Sequence, residues 1–215
     1  MESSVLIWVA VCLIGLTVTL LGEYRDRIGW MAGGKLMAAT AYLMVAIALG
    51  ALLADWGRLL LIGMLMCWGG DLCLISRDRW GWFLAGLLLF LLGHVLYAAA
   101  FAIRGFAEVE VWPLVAMMLL FALFVDRWLR PGLDERTLWP VRAYLLAITV
   151  MWVMAIASHA HEANGALVVG ATLFVLSDLT VARNRFIRPG ISNRLLGLPM
   201  YFFAQLLLGF SVAHG

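Results

Sequence analysis

The sequence predicts an all-α polytopic membrane protein with eight transmembrane helices, read as one domain over residues 1–215. Three observations predict it. Apolar residue types make up 65% of the chain and charged types only 13%. A soluble domain carries roughly 45–50% apolar and about 25% charged residues, so the surplus cannot be hidden in one soluble core. The apolar residues come in unbroken runs about as long as a bilayer is thick, and runs of that kind read as helices, since barrel strands would alternate. Lys and Arg fall almost entirely in every second connection. A soluble enzyme, a nucleic-acid binder and a disordered chain are excluded by the first observation alone.

The runs place spans near 4–22, 36–54, 58–76, 82–103, 110–127, 138–158, 165–182 and 195–213. The fifth is the weakest, because Asp126 and Arg127 blunt its end. The opening Met-Glu-Ser-Ser lacks the basic stretch of a secretory signal, so the first run is expected to be retained as a span. Trp30, Trp56, Trp80, Trp82, Trp112, Trp128 and Trp139 lie near span ends and are expected to form interfacial belts. The connections after spans one, three, five and seven hold thirteen Lys and Arg, among them Arg77 and Arg185, against Arg58 and Arg104 on the opposite side. The positive-inside rule then puts both termini on the non-cytoplasmic side of the cell (inner) membrane. Cys12, Cys67 and Cys73 form no CxxC pair and read as apolar packing.

An internal repeat is expected from self-similarity at an offset of 107. Gly70-Asp71-Leu72-Cys73-Leu74 resembles Ser177-Asp178-Leu179-Thr180-Val181. At the same offset Lys35 falls on Arg142 and His94 on Tyr201. Two parallel four-helix halves, 1–107 and 108–215, would follow.

Ionisable residues at bilayer depth are costly, about 3 kcal/mol for Asp on insertion scales, and mark function. Asp71 and Asp178 are the two acids, each inside the cytoplasmic end of its span. Structural glue with Lys35 or Arg142 is the alternative reading. Lys35, Tyr144 and Tyr201 fall in the same third of the membrane, with His94, Tyr97 and Gln205 nearer its middle. Tyr201 and Gln205 share a helix face at i, i+4, and His94 and Tyr97 another at i, i+3. His159 and His161 read as solvated loop residues. No Ser-His-Asp order, GxSxG elbow, HExxH or phosphate-cradling glycine loop is present. Two carboxyl groups in a poorly hydrated place, one keeping its proton while the other ionises, suit acid–base hydrolysis without metal, cofactor or covalent nucleophile.

These residues resemble a known family, the YhhN-like membrane proteins, which includes lysoplasmalogenases. The matching pieces are Lys35, Gly70-Asp71-Leu72-Cys73-Leu74-Ile75, Gly93-His94-Val95-Leu96-Tyr97, Ser177-Asp178-Leu179 with Val181-Ala182, and Tyr201-Phe202-Phe203-Ala204-Gln205-Leu206, in the family's order. Leu36 stands where the family often has proline. The resemblance implies hydrolysis of the vinyl ether of a lysoplasmalogen, a lysophospholipid drawn from the bilayer, to fatty aldehyde and glycerophospho-ethanolamine or -choline. It implies Asp71 and Asp178 as acid and base in unassigned order. Tyr201, Gln205 and His94 would hold water or a glycerol hydroxyl, and Lys35 or Arg142 would meet the phosphate. Rival classes are a lipid or small-molecule transporter or carrier using the same acids for binding, a scaffold, and a metal hydrolase of the seven-helix ceramidase type. The last needs several membrane histidines, and His94 alone qualifies.

Overall fold

A computed structural model of the protein describes residues 2–76, 79–107 and 111–214. Arg77, counted among the basic connections, lies outside them. The described residues form eight α-helices and no strand: α1 (Glu2–Tyr24), α2 (Ile28–Ala48), α3 (Asp55–Cys73), α4 (Trp80–Arg104), α5 (Val111–Leu129), α6 (Glu135–His161), α7 (Gly165–Ala182) and α8 (Ile191–Ser211). A single π-type turn, Arg183–Ile187, follows α7.

Seven of these helices are long and apolar enough to cross a membrane, and the chain is an integral membrane protein. The eighth, α3, does not meet that standard, although a span was expected there. It carries Asp55, Arg58 and Asp71 within nineteen residues, and its buried face includes three glycines and Asp71 itself. The helix is polar because it brings an acid to the interior.

Helix ends follow local chemistry. Asp26, at φ 50°, turns the chain out of α1. Gly50 and Gly105, at φ 95° and 113°, end α2 and α4 in conformations that side chains resist. Asp134 starts α6 through a capping box with Thr137, whose hydroxyl and backbone N–H hold the Asp134 carboxyl below the usual carboxylate range. Asn164 caps α7 by accepting from the Leu167 N–H.

Two boundaries differ from expectation with consequences. The second helix was expected over 36–54 but runs Ile28–Ala48, stopped by the turn at Gly50. Lys35 therefore sits two turns inside α2 and not at its head. The run of α6 to His161 places His159 and His161 in its last turn instead of a loop, where His159 Nδ1 accepts the Asn164 N–H at 2.8 Å. Trp56 is no belt residue: it is 7% exposed, with the Arg104 guanidinium over its ring at 5.7 Å.

The helices pack chiefly as pairs, α1 on α2, α3 on α4 and α7 on α8, while α4 also meets α6 and α2 meets α8. Helix α5 rests mainly on α6. The core is aromatic, with Tyr42, Tyr97, Phe101, Phe174 and Phe202 fully buried.

Candidate active site

A cavity of about 300 Å³ runs into the bundle from one end. Its outer lining includes Glu23 at the end of α1, Phe83 at the start of α4, Arg185 after α7 and Arg194 at the start of α8. These are helix ends joined by the Arg-rich connections. Its deeper wall is largely apolar, with Phe90, Phe121, Leu145 and Ile148. The polar groups on that wall include Lys35, Asp71, Tyr144, Asp178 and Tyr201, with Thr19 and Ser177 beside them.

Asp71 is held from two sides. Lys35 Nζ of α2 stands 3.0 Å from its Oδ1, and the Tyr201 hydroxyl of α8 donates to its Oδ2 at 2.6 Å. Both Lys35 and Asp71 are buried, so the pair replaces hydration that neither could forgo alone. A chain of hydrogen bonds stands behind Tyr201. Gln205 Nε2 donates to its hydroxyl at 3.3 Å, and the Tyr97 hydroxyl donates to Gln205 Oε1 at 2.8 Å. The Tyr42 hydroxyl lies 3.3 Å from both Tyr201 and the Met64 carbonyl.

Asp178 is held differently. The Tyr144 hydroxyl of α6 donates to its Oδ2 at 2.6 Å, and His94 Nε2 of α4 stands 3.6 Å from the same oxygen. Among the described residues no Lys or Arg pairs with it. Its side chain is 18% exposed against 2% for Asp71, so Asp178 is the acid more open to the cavity.

The structure thus brings together five of the nine residues singled out from sequence as cavity lining. His94, Tyr97 and Gln205 lie behind the wall, fully buried, and reach the cavity through Asp178 and Tyr201. Arg142 is elsewhere. It makes a bidentate pair with Asp126, at 2.8 and 2.9 Å, beside a separate shallow depression between α5 and α6. The expected match of Arg142 to Lys35 fails on partners, because α6 faces α5 with an acid of its own.

Three charged cavity residues escaped the sequence reading. Arg194 pairs with Glu23 at 2.9 Å, and the Glu23 side chain is 6% exposed. Arg185 lies over the Phe83 ring at 4.4 Å. Each looked like an ordinary interfacial charge at the end of an apolar run. Among the described residues no three His, Cys, Asp or Glu side chains gather as a metal site.

The model of the YhhN family matches residues 34–212, from the residue before Lys35 to beyond Gln205. The chain belongs to the YhhN family. Among its relatives, the lysoplasmalogenase TMEM86A of Homo sapiens is 32% identical over 182 residues, 80% of this chain and 72% of the relative. The lysoplasmalogenase TMEM86B of Sus scrofa is 31% identical over 191 residues, 88% and 78%. The Bos taurus TMEM86A matches at 30% over 159 residues, 71% of this chain and just under two thirds, 64%, of that relative's length. No solved structure matches. The YhhN match thus covers every residue of both carboxyl clusters.

Proposed function

We propose that this YhhN protein is a lysoplasmalogenase-type hydrolase. It would cleave the vinyl ether of an alkenyl-glycerophospho-ethanolamine or -choline to fatty aldehyde and the glycerophospho compound. The observation that carries the reading is the pair Asp71 and Asp178, in matched sequence settings, on one largely apolar cavity. The names of the relatives support it.

The chemistry fits the groups present. One carboxylic acid protonates the outer alkene carbon, which leaves an oxocarbenium ion at the carbon bearing the ether oxygen. A carboxylate facing that cation lowers its energy and takes a proton from the attacking water. The hemiacetal returns its hydroxyl proton to the first group, the second protonates the leaving glycerol oxygen, and both aspartates are restored. No metal or cofactor enters. The apolar wall accommodates the alkenyl chain, and an excess of Lys and Arg at the mouth suits a phosphate.

The thirteen basic residues of the alternate connections support a cavity mouth toward the cytoplasmic leaflet with both termini outside. Labelling of a cysteine added after residue 215 checks this; labelling only from the cytoplasm would reverse the orientation.

The activity is tested by giving purified protein lysoplasmalogen, lysophosphatidylethanolamine and a saturated ether lysolipid, with aldehyde and fatty acid scored separately. Aldehyde from the first substrate alone, surviving chelation, is expected. Fatty acid from the second, or no aldehyde at all, would remove the reading.

A further inference from the structure

We propose that Asp178 is the proton donor to the alkene carbon, that Asp71 is the carboxylate facing the cation, and that His94 is a positioning residue that keeps Asp178 in its acid form. This rests on the vinyl ether reading for the reaction, but the assignment of the proton stands on hydrogen-bond accounting alone.

His94 is fully buried, and its ring is edged by Tyr97, Tyr144 and Phe174, the last at 4.6 Å between centroids. Its Nδ1 lies 2.6 Å from the Phe90 carbonyl oxygen. A carbonyl can only accept, so Nδ1 carries the ring proton. In the neutral imidazole Nε2 then has a lone pair and no proton. Among the described residues that atom has no hydrogen-bond partner, and Asp178 Oδ2 stands 3.6 Å from it. Two acceptors facing each other in a dry place repel, and the repulsion falls when the carboxyl group is neutral.

Among the described residues, the other groups around Asp178 supply no cation to reverse this. From α6 comes the neutral Tyr144 hydroxyl, and Arg142 of the same helix is committed to Asp126. From α8 come Tyr201, which donates to Asp71, and Arg194, which pairs with Glu23. In the π-type turn, Arg183 bonds Asn193 and Arg185 lies over Phe83. Asp71, by contrast, has the Lys35 ammonium at 3.0 Å and is the natural anion. The acid is thus the more exposed of the two, and the counter-charge is the more enclosed.

The proton balance is explicit. The Asp178 carboxyl proton forms the new C–H bond and Asp71 accepts a proton from water; on collapse of the hemiacetal its hydroxyl proton returns to Asp178 and Asp71 gives its proton to the leaving glycerol oxygen. His94 exchanges none; it sets which carboxyl group begins with the proton.

The test is infrared difference spectroscopy at neutral pH on protein labelled with carboxyl-¹³C aspartate. A label-sensitive carboxylic-acid band is expected in the wild type, absent in Asp178→Asn and retained in Asp71→Asn. Because Asp71→Asn strands a buried ammonium, the Asp71→Asn/Lys35→Met pair provides the same comparison in a neutralised site. His94→Gln points an amide N–H₂ at Asp178 and is expected to weaken or abolish the band. It should also move the alkaline limb of the kcat/KM profile to lower pH, with about tenfold loss on that limb and a much smaller loss on the acid side. A band that disappears with Asp71, or no band in the wild type, overturns the assignment. A His94→Gln protein with a wild-type band and pH profile, whatever its Tm, overturns the role of His94. If the band belongs to Asp178 but no aldehyde forms, the substrate reading fails and the proton assignment stands.

Discussion

Tyr201 of α8 donates to Asp71 of α3 at 2.6 Å, so the second half of the chain reaches across to hold the acid of the first. The reverse contact exists. His94 of α4 faces Asp178 of α7, and both members of this pair lie 107 positions from their counterparts. The packing of α2 on α8 is likewise matched by α6 on α4. Such an exchange is what two parallel four-helix halves would produce, and it supports the proposal that the chain arose by duplication. The exchange is imperfect in chemistry, since tyrosine donates where histidine offers a lone pair.

Tyr201→Phe tests the first of these contacts. It keeps the ring packing against Phe90 and Phe174 and removes the donor to Asp71. Hydrogen bonds to charged groups contribute about 1.5–3 kcal/mol, so kcat/KM should fall about ten- to hundredfold. Kinetics and Tm are measured on the same preparation. A lower Tm with unchanged kcat/KM would mean that the hydroxyl serves folding only.

Lys35 and Arg142 should separate cleanly. Lys35→Gln leaves Asp71 buried without its cation, which typically costs about 3–5 kcal/mol, and both Tm and turnover should drop. Arg142→Gln breaks a partly exposed pair outside the cavity and should change kcat/KM by less than about threefold. Loss of activity in the Arg142 variant comparable to that of Lys35 would return it to the phosphate role.

The sequence made seven of the eight spans and the two acids legible for one reason: transfer to lipid is a per-residue cost, and unbroken apolar runs or an isolated Asp stand out against it. Pairing is not a per-residue property. Lys35 looked like a helix head because its charge interrupted the hydropathy, yet Asp71 from the next helix neutralises it two turns inside α2. The same blindness hid Glu23 with Arg194 and sent Arg142 to the wrong partner, Asp126 being invisible as such until α5 lay on α6. Trp56 read as interfacial because nothing in its neighbourhood announced Arg104, 48 positions away.

Adjacent glycines give a controlled test of the α1–α2 contact. A Cβ on Gly34 would lie 2.6 Å from the Gly15 carbonyl oxygen and the Thr19 nitrogen, while one on Gly33 would meet nothing within 4 Å. Gly34→Ala should destabilise by about 1–3 kcal/mol through overpacking against backbone. Gly33→Ala should leave Tm unchanged or raise it, because alanine is favoured over glycine in a helix by about 1 kcal/mol. Equal effects of the two would contradict the close approach.

Asp134 predicts a pH dependence outside the membrane. Its carboxyl is held below the usual carboxylate range by Thr137, so the folded state favours the anion. That contribution is present above the unfolded value of about 3.9 and is lost as pH falls through the lower folded value. Asp134→Ala should therefore lower Tm at neutral pH, and the gap to wild type should close on acidification. A gap independent of pH would point to a cause other than the charged cap.

The two acids should fail in different ways. Asp178→Asn keeps an oxygen for the Tyr144 hydroxyl and disturbs no ion pair, so the protein should fold with a Tm near wild type. It can no longer give up an acidic proton, and loss of a general acid typically costs about 10²–10⁴-fold in rate. Asp71→Asn also keeps an oxygen for Tyr201, but it leaves the Lys35 ammonium buried without its counter-charge. Here the rate should fall as far and Tm should fall with it, because breaking a buried pair by removing one partner is strongly destabilising. Restoring neutrality with Lys35→Met in the Asp71→Asn background should recover Tm without recovering turnover. Recovery of both would make Asp71 a structural anchor for Lys35, and near-wild-type turnover in Asp178→Asn would take that residue out of the reaction.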